Sequence, residues 1–257
     1  MTTATAELLP HPGITSDELY LTRDAAKGGC LAPLYDRYYS IFRQGPSAAM
    51  GRAFCWGCGD PTTAKILAIG EGPGKHEGNT GIVFSGPAGR VLSSVLKAVG
   101  LTRQQDVLLI NTITEMKDPA PGQKMESGKP STEDLYRERE RVVAVINTMA
   151  ARPQGLGALV LLGKYALVQM LDPKRIAFAA ANHQEISMDT VNISAFRGWR
   201  SDIPDVDVPT YVLQHPSWIL RMSDAALQSG REDRQFQSAK RNYAAAWNSI
   251  KEVANRG

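Results

Sequence analysis

Three polar side chains with complementary chemistry, Glu71, Asn111 and His215, each follow a short apolar run. A carboxylate can position water and face a cationic centre, an amide offers donors and an acceptor, and an imidazole can donate to a developing anion. Glu71 opens a glycine-dense stretch, Gly70-Glu71-Gly72-Pro73-Gly74, that continues to Gly86 and adds Lys75, His76, Glu77 and the ring of Phe84. Glycines there let the backbone approach a ligand closely. His215 opens a second stretch, His215-Pro216-Ser217-Trp218-Ile219-Leu220-Arg221. Singly, each residue has a plainer reading: Asn111 as a turn cap, His215 as a helix-entry residue before proline, His76 as a solvated loop residue. Jointly they read as one site.

The elements that must position them follow from periodicity. Apolar runs at 65–70, 106–110, 158–162 and 209–213 read as buried strands, with helical patterns between them at 87–99, 132–150 and 163–171. This alternation predicts an α/β protein of three α/β/α layers around a central, mostly parallel, four-stranded sheet. Ligands bind such sheets at the C-terminal ends of the strands, where Glu71, Asn111 and His215 fall. Phe236, Ala239, Tyr243, Trp247 and Ile250 recur at helical spacing and predict a final helix docked on the core. Residues 1 to about 18 read as a loose leader, and 1–60 as an extension packed on an α/β domain spanning 61–257. Lys117 to Ser131 reads as a surface loop, and 176–200 as a β-hairpin or irregular insertion.

Composition narrows the class. The 257 residues carry a net charge of +3, with 43% hydrophobic and 21% charged residues, which describes a soluble globular chain able to contact nucleic acid. No apolar run reaches the length of a membrane span, and a cytoplasmic monomer is expected. Cys30, Cys55 and Cys58 are odd in number and so argue against a disulfide framework. Cys55 and Cys58 have the spacing of a metal half-site, but a closed zinc or iron–sulphur site takes four ligands, so buried or free thiols are favoured over a metal.

The run GEGPGKHEGNTGIVFSGPAGRVL resembles the first signature of the uracil-DNA glycosylase superfamily, closest to family 4, and HPSWILR resembles its second. Leu109-Ile110-Asn111-Thr112 is similar to the family's strand ending in asparagine. The resemblance runs from about residue 55 to 250. It implies hydrolysis of the bond between uracil, or a related modified pyrimidine, and deoxyribose in single- or double-stranded DNA. Glu71 would then position water, with Glu77 assisting, and His215 would donate to the departing base. Phe84 would stack under the base, Asn111 would read its edge, and backbone near Gly72 and Gly74 would border the pocket. Ser217, Gly86 and Gly89 would admit phosphates, while Lys75 and Arg221, with Arg90 as a further candidate, would supply phosphate charge. Ile219 and Leu220 would wedge into the stack.

The chain also departs from the pattern. Family 4 members usually hold a [4Fe–4S] cluster through four cysteines, yet here Pro33 takes the second position and residues 112–140 contain none. Lys75, His76 and Gly78 stand where acidic residues are usual, and Val83 replaces a proline. The competing reading is a non-catalytic DNA-binding or regulatory protein that reads a flipped base with the same pocket. A nucleotide-metabolising enzyme is remote, because the glycine loop lacks the Lys-Ser/Thr ending of a phosphate-binding loop.

Overall fold

The continuous apolar runs become strands because both faces of the sheet are covered. The computed structural model describes residues 11, 13–119, 128–222 and 234–256. Strands β1 (Ile66–Gly70), β2 (Val107–Asn111), β3 (Ala158–Leu162), β4 (Gly198–Arg200) and β5 (Thr210–Leu213) form one sheet in the order β2-β1-β3-β5-β4. The first three and β5 are parallel, and β4 joins the β5 edge antiparallel. Among the described residues the sheet thus has five strands rather than four. Three-residue β4, Gly-Trp-Arg, is too short to carry an alternation that a sequence pattern would reveal.

Successive strand residues face opposite layers. The helices that cover the sheet are α5 (Pro87–Ala98), α6 (Thr132–Ala150), α7 (Lys164–Leu171) and the last described, α10 (Arg234–Ala254). Ile66, Ala68, Leu109, Val160 and Leu213 meet Leu92, Val95 and Leu96 of α5 and Tyr243, Trp247 and Ile250 of α10. Leu67, Ile69, Leu108, Leu161 and Val212 meet Val142, Val145, Ile146 and Met149 of α6 and Leu167 and Met170 of α7. Ser131 and Asp134 form the capping box that starts α6.

Before the sheet come α1 (Ser16–Ala25), α2 (Ala32–Arg43) and α3 (Pro46–Ala49). Residues 1–10 and 12 of the expected leader lie outside the described residues, but His11 and Ile14 are buried and α1 begins at Ser16, so residue 11 and residues 13–18 are not loose. The glycine-dense stretch is likewise not all loop: Lys75–Thr80 forms a short helix, α4, closed by Gly81 at positive φ. In place of a hairpin at 176–200, α8 (Pro173–Ala181) runs on from α7, followed by a 3₁₀ turn, α9 (Ile193–Phe196) and β4. Of the expected loop from Lys117 to Ser131, residues 120–127 lie outside the described residues. Its base is closed by the Gly128 N–H donating to the Lys117 carbonyl at 2.7 Å.

Candidate active site

Parallel pairing in register aligns Gly70 at the end of β1 with Asn111 at the end of β2, and Glu71 follows directly. His215 follows β5 across the same rim. A cavity of about 270 Å³ opens there, lined by Glu71, Gly72, Gly74, Lys75, His76, Glu77, Phe84, Gly86, Asn111, Lys129, His215 and Ser217 among others. The strand ends thus gather the carboxylate, amide, imidazole and ring that the sequence places far apart.

Gly70 is the floor. A Cβ there would overlap the Phe84 ring and the Asn111 side-chain oxygen, so only glycine lets both lie against the strand end. Asn111 is 3% exposed, and its carbonyl accepts from the guanidinium of fully buried Arg141 at 2.7 Å, which ties the strand end to α6. The ring of Phe84 lies 5.7 Å from that of His215 at an interplanar angle of 27°. His215 Nδ1 accepts from the Ser217 backbone N–H at 3.3 Å and lies 2.9 Å from the Ser217 hydroxyl, so a neutral ring carries its proton on Nε2. Desolvation lowers the His215 pKa to about 4; Glu71 opposes the shift, while Lys129 and Arg221 add to it. The ring is therefore a neutral donor at ordinary pH. Its loop is anchored by the Tyr243 hydroxyl, which donates to the Gln214 carbonyl at 3.1 Å.

Lys129 forms an ion pair with Glu71, whose side chain is 18% exposed. Sequence reasoning missed this residue because it sits in a proline- and glycine-rich loop that reads only as surface. The Thr112 hydroxyl bonds to the Glu71 carbonyl and fixes the backbone behind the carboxylate. His76, expected to be solvated, is half-buried and lines the cavity.

Several expected roles change. Glu77 Oε1 accepts from the Gly86 N–H at 3.0 Å, so this expected assisting carboxylate also holds the turn that enters α5. Gly89 is buried and outside the cavity lining: a Cβ there would overlap the Phe84 carbonyl, so this glycine serves close packing and not phosphate approach. Ile219 is 4% exposed within the core and is not available as a wedge. Leu220 is half-buried in an apolar groove with Phe236 and Tyr243. Arg221 is exposed and donates to the Ser217 hydroxyl at 3.2 Å.

The thiols do not fit a four-cysteine cluster. Cys55 Sγ donates to the Glu77 carbonyl at 3.1 Å, Cys58 Sγ lies 2.7 Å from the Thr22 hydroxyl, and Cys30 Sγ faces the Pro61 carbonyl at 3.9 Å. Three thiols with three separate partners make no common donor set, and the described residues contain no group of three or more His, Cys, Asp or Glu able to hold a metal ion. Aromatic packing fills the region behind Cys30: Tyr35, Phe54 and Trp56 meet ring to ring, and the Arg141 guanidinium lies 5.9 Å from the Trp56 ring.

Residues 56–248 match the family model of the uracil DNA glycosylase superfamily, and the chain belongs to that superfamily. A type-4 uracil-DNA glycosylase of Archaeoglobus fulgidus is 31% identical over 93 residues, 35% of this chain and 46% of that protein. The match therefore spans less than half the length of this relative.

Proposed function

We propose that this protein is a DNA glycosylase that hydrolyses the N-glycosidic bond of uracil, or of a related modified pyrimidine, in DNA. The observation that carries the reading is the meeting of Glu71, Phe84, Asn111 and His215 on one cavity at the C-terminal rim of the sheet. A base flipped out of the stack enters this cavity, lies on Phe84 and is read at its edge by Asn111. The oxygen of water bonds to C1′ as the C1′–N bond breaks, and the electron pair leaves on the base. Nε2–H of neutral His215 donates to the base oxygen that gathers negative charge, and Glu71 holds the water and faces the cationic sugar. The proton lost by the water balances the charge on the released base. Lys75, Arg221 and Ser217 at the rim face the phosphates, and Leu220 remains as the apolar wedge. Residues 61–257 carry this activity with the described residues of 1–60 packed against them, as a monomer. Three free cysteines support a reducing, cytoplasmic setting.

The test is incubation with single- and double-stranded DNA containing uracil, hydroxymethyluracil or deaminated purines, followed by alkaline cleavage at abasic sites. Cleavage at uracil is expected. No abasic site on any substrate sinks the enzymatic reading. Glu71→Gln is expected to keep the fold and to lose about 10²–10⁴-fold in rate.

One observation favours a second reading, a non-catalytic reader of flipped bases: Glu71 is already engaged by Lys129. That protein would bind DNA in a salt-dependent manner and release no base.

A further inference from the structure

Phe84 sits at φ 54°, in the left-handed region. For a bulky side chain this costs about 1–2 kcal/mol and persists only where the surroundings impose it. Here they do so through the backbone. The Arg103 guanidinium, 2% exposed, donates from Nη2 to the Val83 carbonyl at 2.6 Å and from Nη1 to the Phe84 carbonyl at 2.9 Å. His11, 4% exposed, takes the next carbonyl, that of Ser85, from Nε2 at 2.9 Å. Since a carbonyl only accepts, the His11 proton is on Nε2, and Nδ1 accepts from the Ser93 hydroxyl at 3.1 Å. Ser93 Oγ in turn lies 3.5 Å from Arg103 Nη1, so the two clamping side chains share a partner on α5.

We propose that His11 and Arg103 are positioning residues for Phe84: they grip three consecutive carbonyls, fix the ring on which the target base stacks, and so set which bases are accepted. The proposal rests on the glycosylase reading above. The clamp acts on a ring that already has no slack. Gly70 lies under its edge and Gly89 under its carbonyl, so a released kink has nowhere to go except toward the cavity or His215. A base held between Phe84 and Asn111 tolerates little displacement, since a misplacement of about 1 Å costs up to roughly 100-fold in rate. The site thus depends on His11, a residue far from it in sequence and upstream of the family match.

The experiment compares wild type with His11→Ala, His11→Gln and Arg103→Met in three measurements. These are kcat and KM on the excised bases, affinity for DNA bearing a tetrahydrofuran abasic analogue, and amide hydrogen exchange of residues 82–86. Glutamine sets an N–H donor close to where imidazole Nε2 stands. We expect His11→Ala and Arg103→Met to lose about 10- to 100-fold in kcat and to shift the ratio between accepted bases. Affinity for the abasic analogue, which has no base to stack, should stay at the wild-type value, and exchange should accelerate at 82–86. His11→Gln should recover most of the loss. Wild-type kcat and base ratio in His11→Ala overturn the proposal, as does a fall in abasic-analogue affinity equal to the fall in rate. If wild type excises none of the bases, the glycosylase reading fails, and the exchange measurement alone decides the clamp: acceleration confined to 82–86 supports it and unchanged exchange overturns it.

Discussion

At the scale of single residues, charge placement decides the chemistry. Desolvation holds the His215 pKa at about 4, so the ring stays neutral from pH 7.5 down to pH 5. kcat/KM should therefore show no histidine limb near pH 6.5 that belongs to this residue. A limb there that disappears in His215→Gln would contradict a neutral donor. Lys129 is half-exposed, so its pair with Glu71 contributes about 1 kcal/mol or less to stability. Its effect should appear in rate instead: Lys129→Met is expected to lower kcat about 10-fold, equivalent to 1.4 kcal/mol of barrier, with KM and the melting temperature nearly unchanged. A kcat at or above the wild-type value would show that the ammonium obstructs the carboxylate rather than orients it. Glu71, Phe84, Asn111 and His215 were legible in the sequence because each stands at a strand end or in a glycine-dense turn. Lys129, Arg103 and His11 were not: a lysine in a polar loop, an arginine after α5 and a histidine near a proline carry no local signal of what they touch.

At the scale of elements, the fold could be read wherever burial imposed a period. The four parallel strands and α5, α6 and α7 fall within a residue or two of their expected ranges, because continuous apolar runs and a 3.6-residue stripe have few alternatives. Short elements escaped. In α4, Lys-His-Glu-Gly-Asn-Thr carries no apolar stripe; it is held by its termini, by Gly78 packed on Met116, and by Glu77 reaching Gly86. The insertion after α7 was misread although Asp172, Pro173 and the alanine-rich run after them are helix signals; α8 buries only Ile176 and Ala179, so no apolar stripe marks it. Packing between elements also fixes Gly89. Gly89→Ala is expected to lose about 2–3 kcal/mol by overpacking, read from denaturant unfolding, because its Cβ would overlap the Phe84 carbonyl. Wild-type stability in this variant would show that α5 can shift without disturbing the ring.

At the scale of the whole molecule, two desolvated neutral histidines, buried His11 and half-buried His215, tie stability to pH. Burial lowers both His215 and His11 from 6.5 to about 4. Between those values the unfolded chain binds more protons than the native one, so stability rises with pH there and is lost as pH falls from about 6.5 to about 4. For His215 the slope approaches roughly 1.4 kcal/mol per pH unit in mid-window. Denaturant unfolding at pH 7.5, 5.5 and 4.5 should show a declining midpoint, with His11→Gln removing part of the decline. A midpoint that stays level to pH 4.5 would mean that both rings accept protons without cost.

The sheet's two borders differ. Beyond β5 lies β4, and beside β2 the backbone of Cys58 exchanges two hydrogen bonds with Leu109, at 2.8 and 2.9 Å, while the Cys55 N–H donates to the Thr114 carbonyl. The segment that seals the β2 border thus carries two fully buried thiols, whereas Cys30 is half-buried. Those thiols are native probes of fraying. In a thiol-labelling time course Cys30 should react first, and Cys55 and Cys58 should follow together at the rate at which this border peels away, before global unfolding. Where that rate is slow, this border offers no template for another chain to pair with, and strand-to-strand aggregation should not start from it at high concentration.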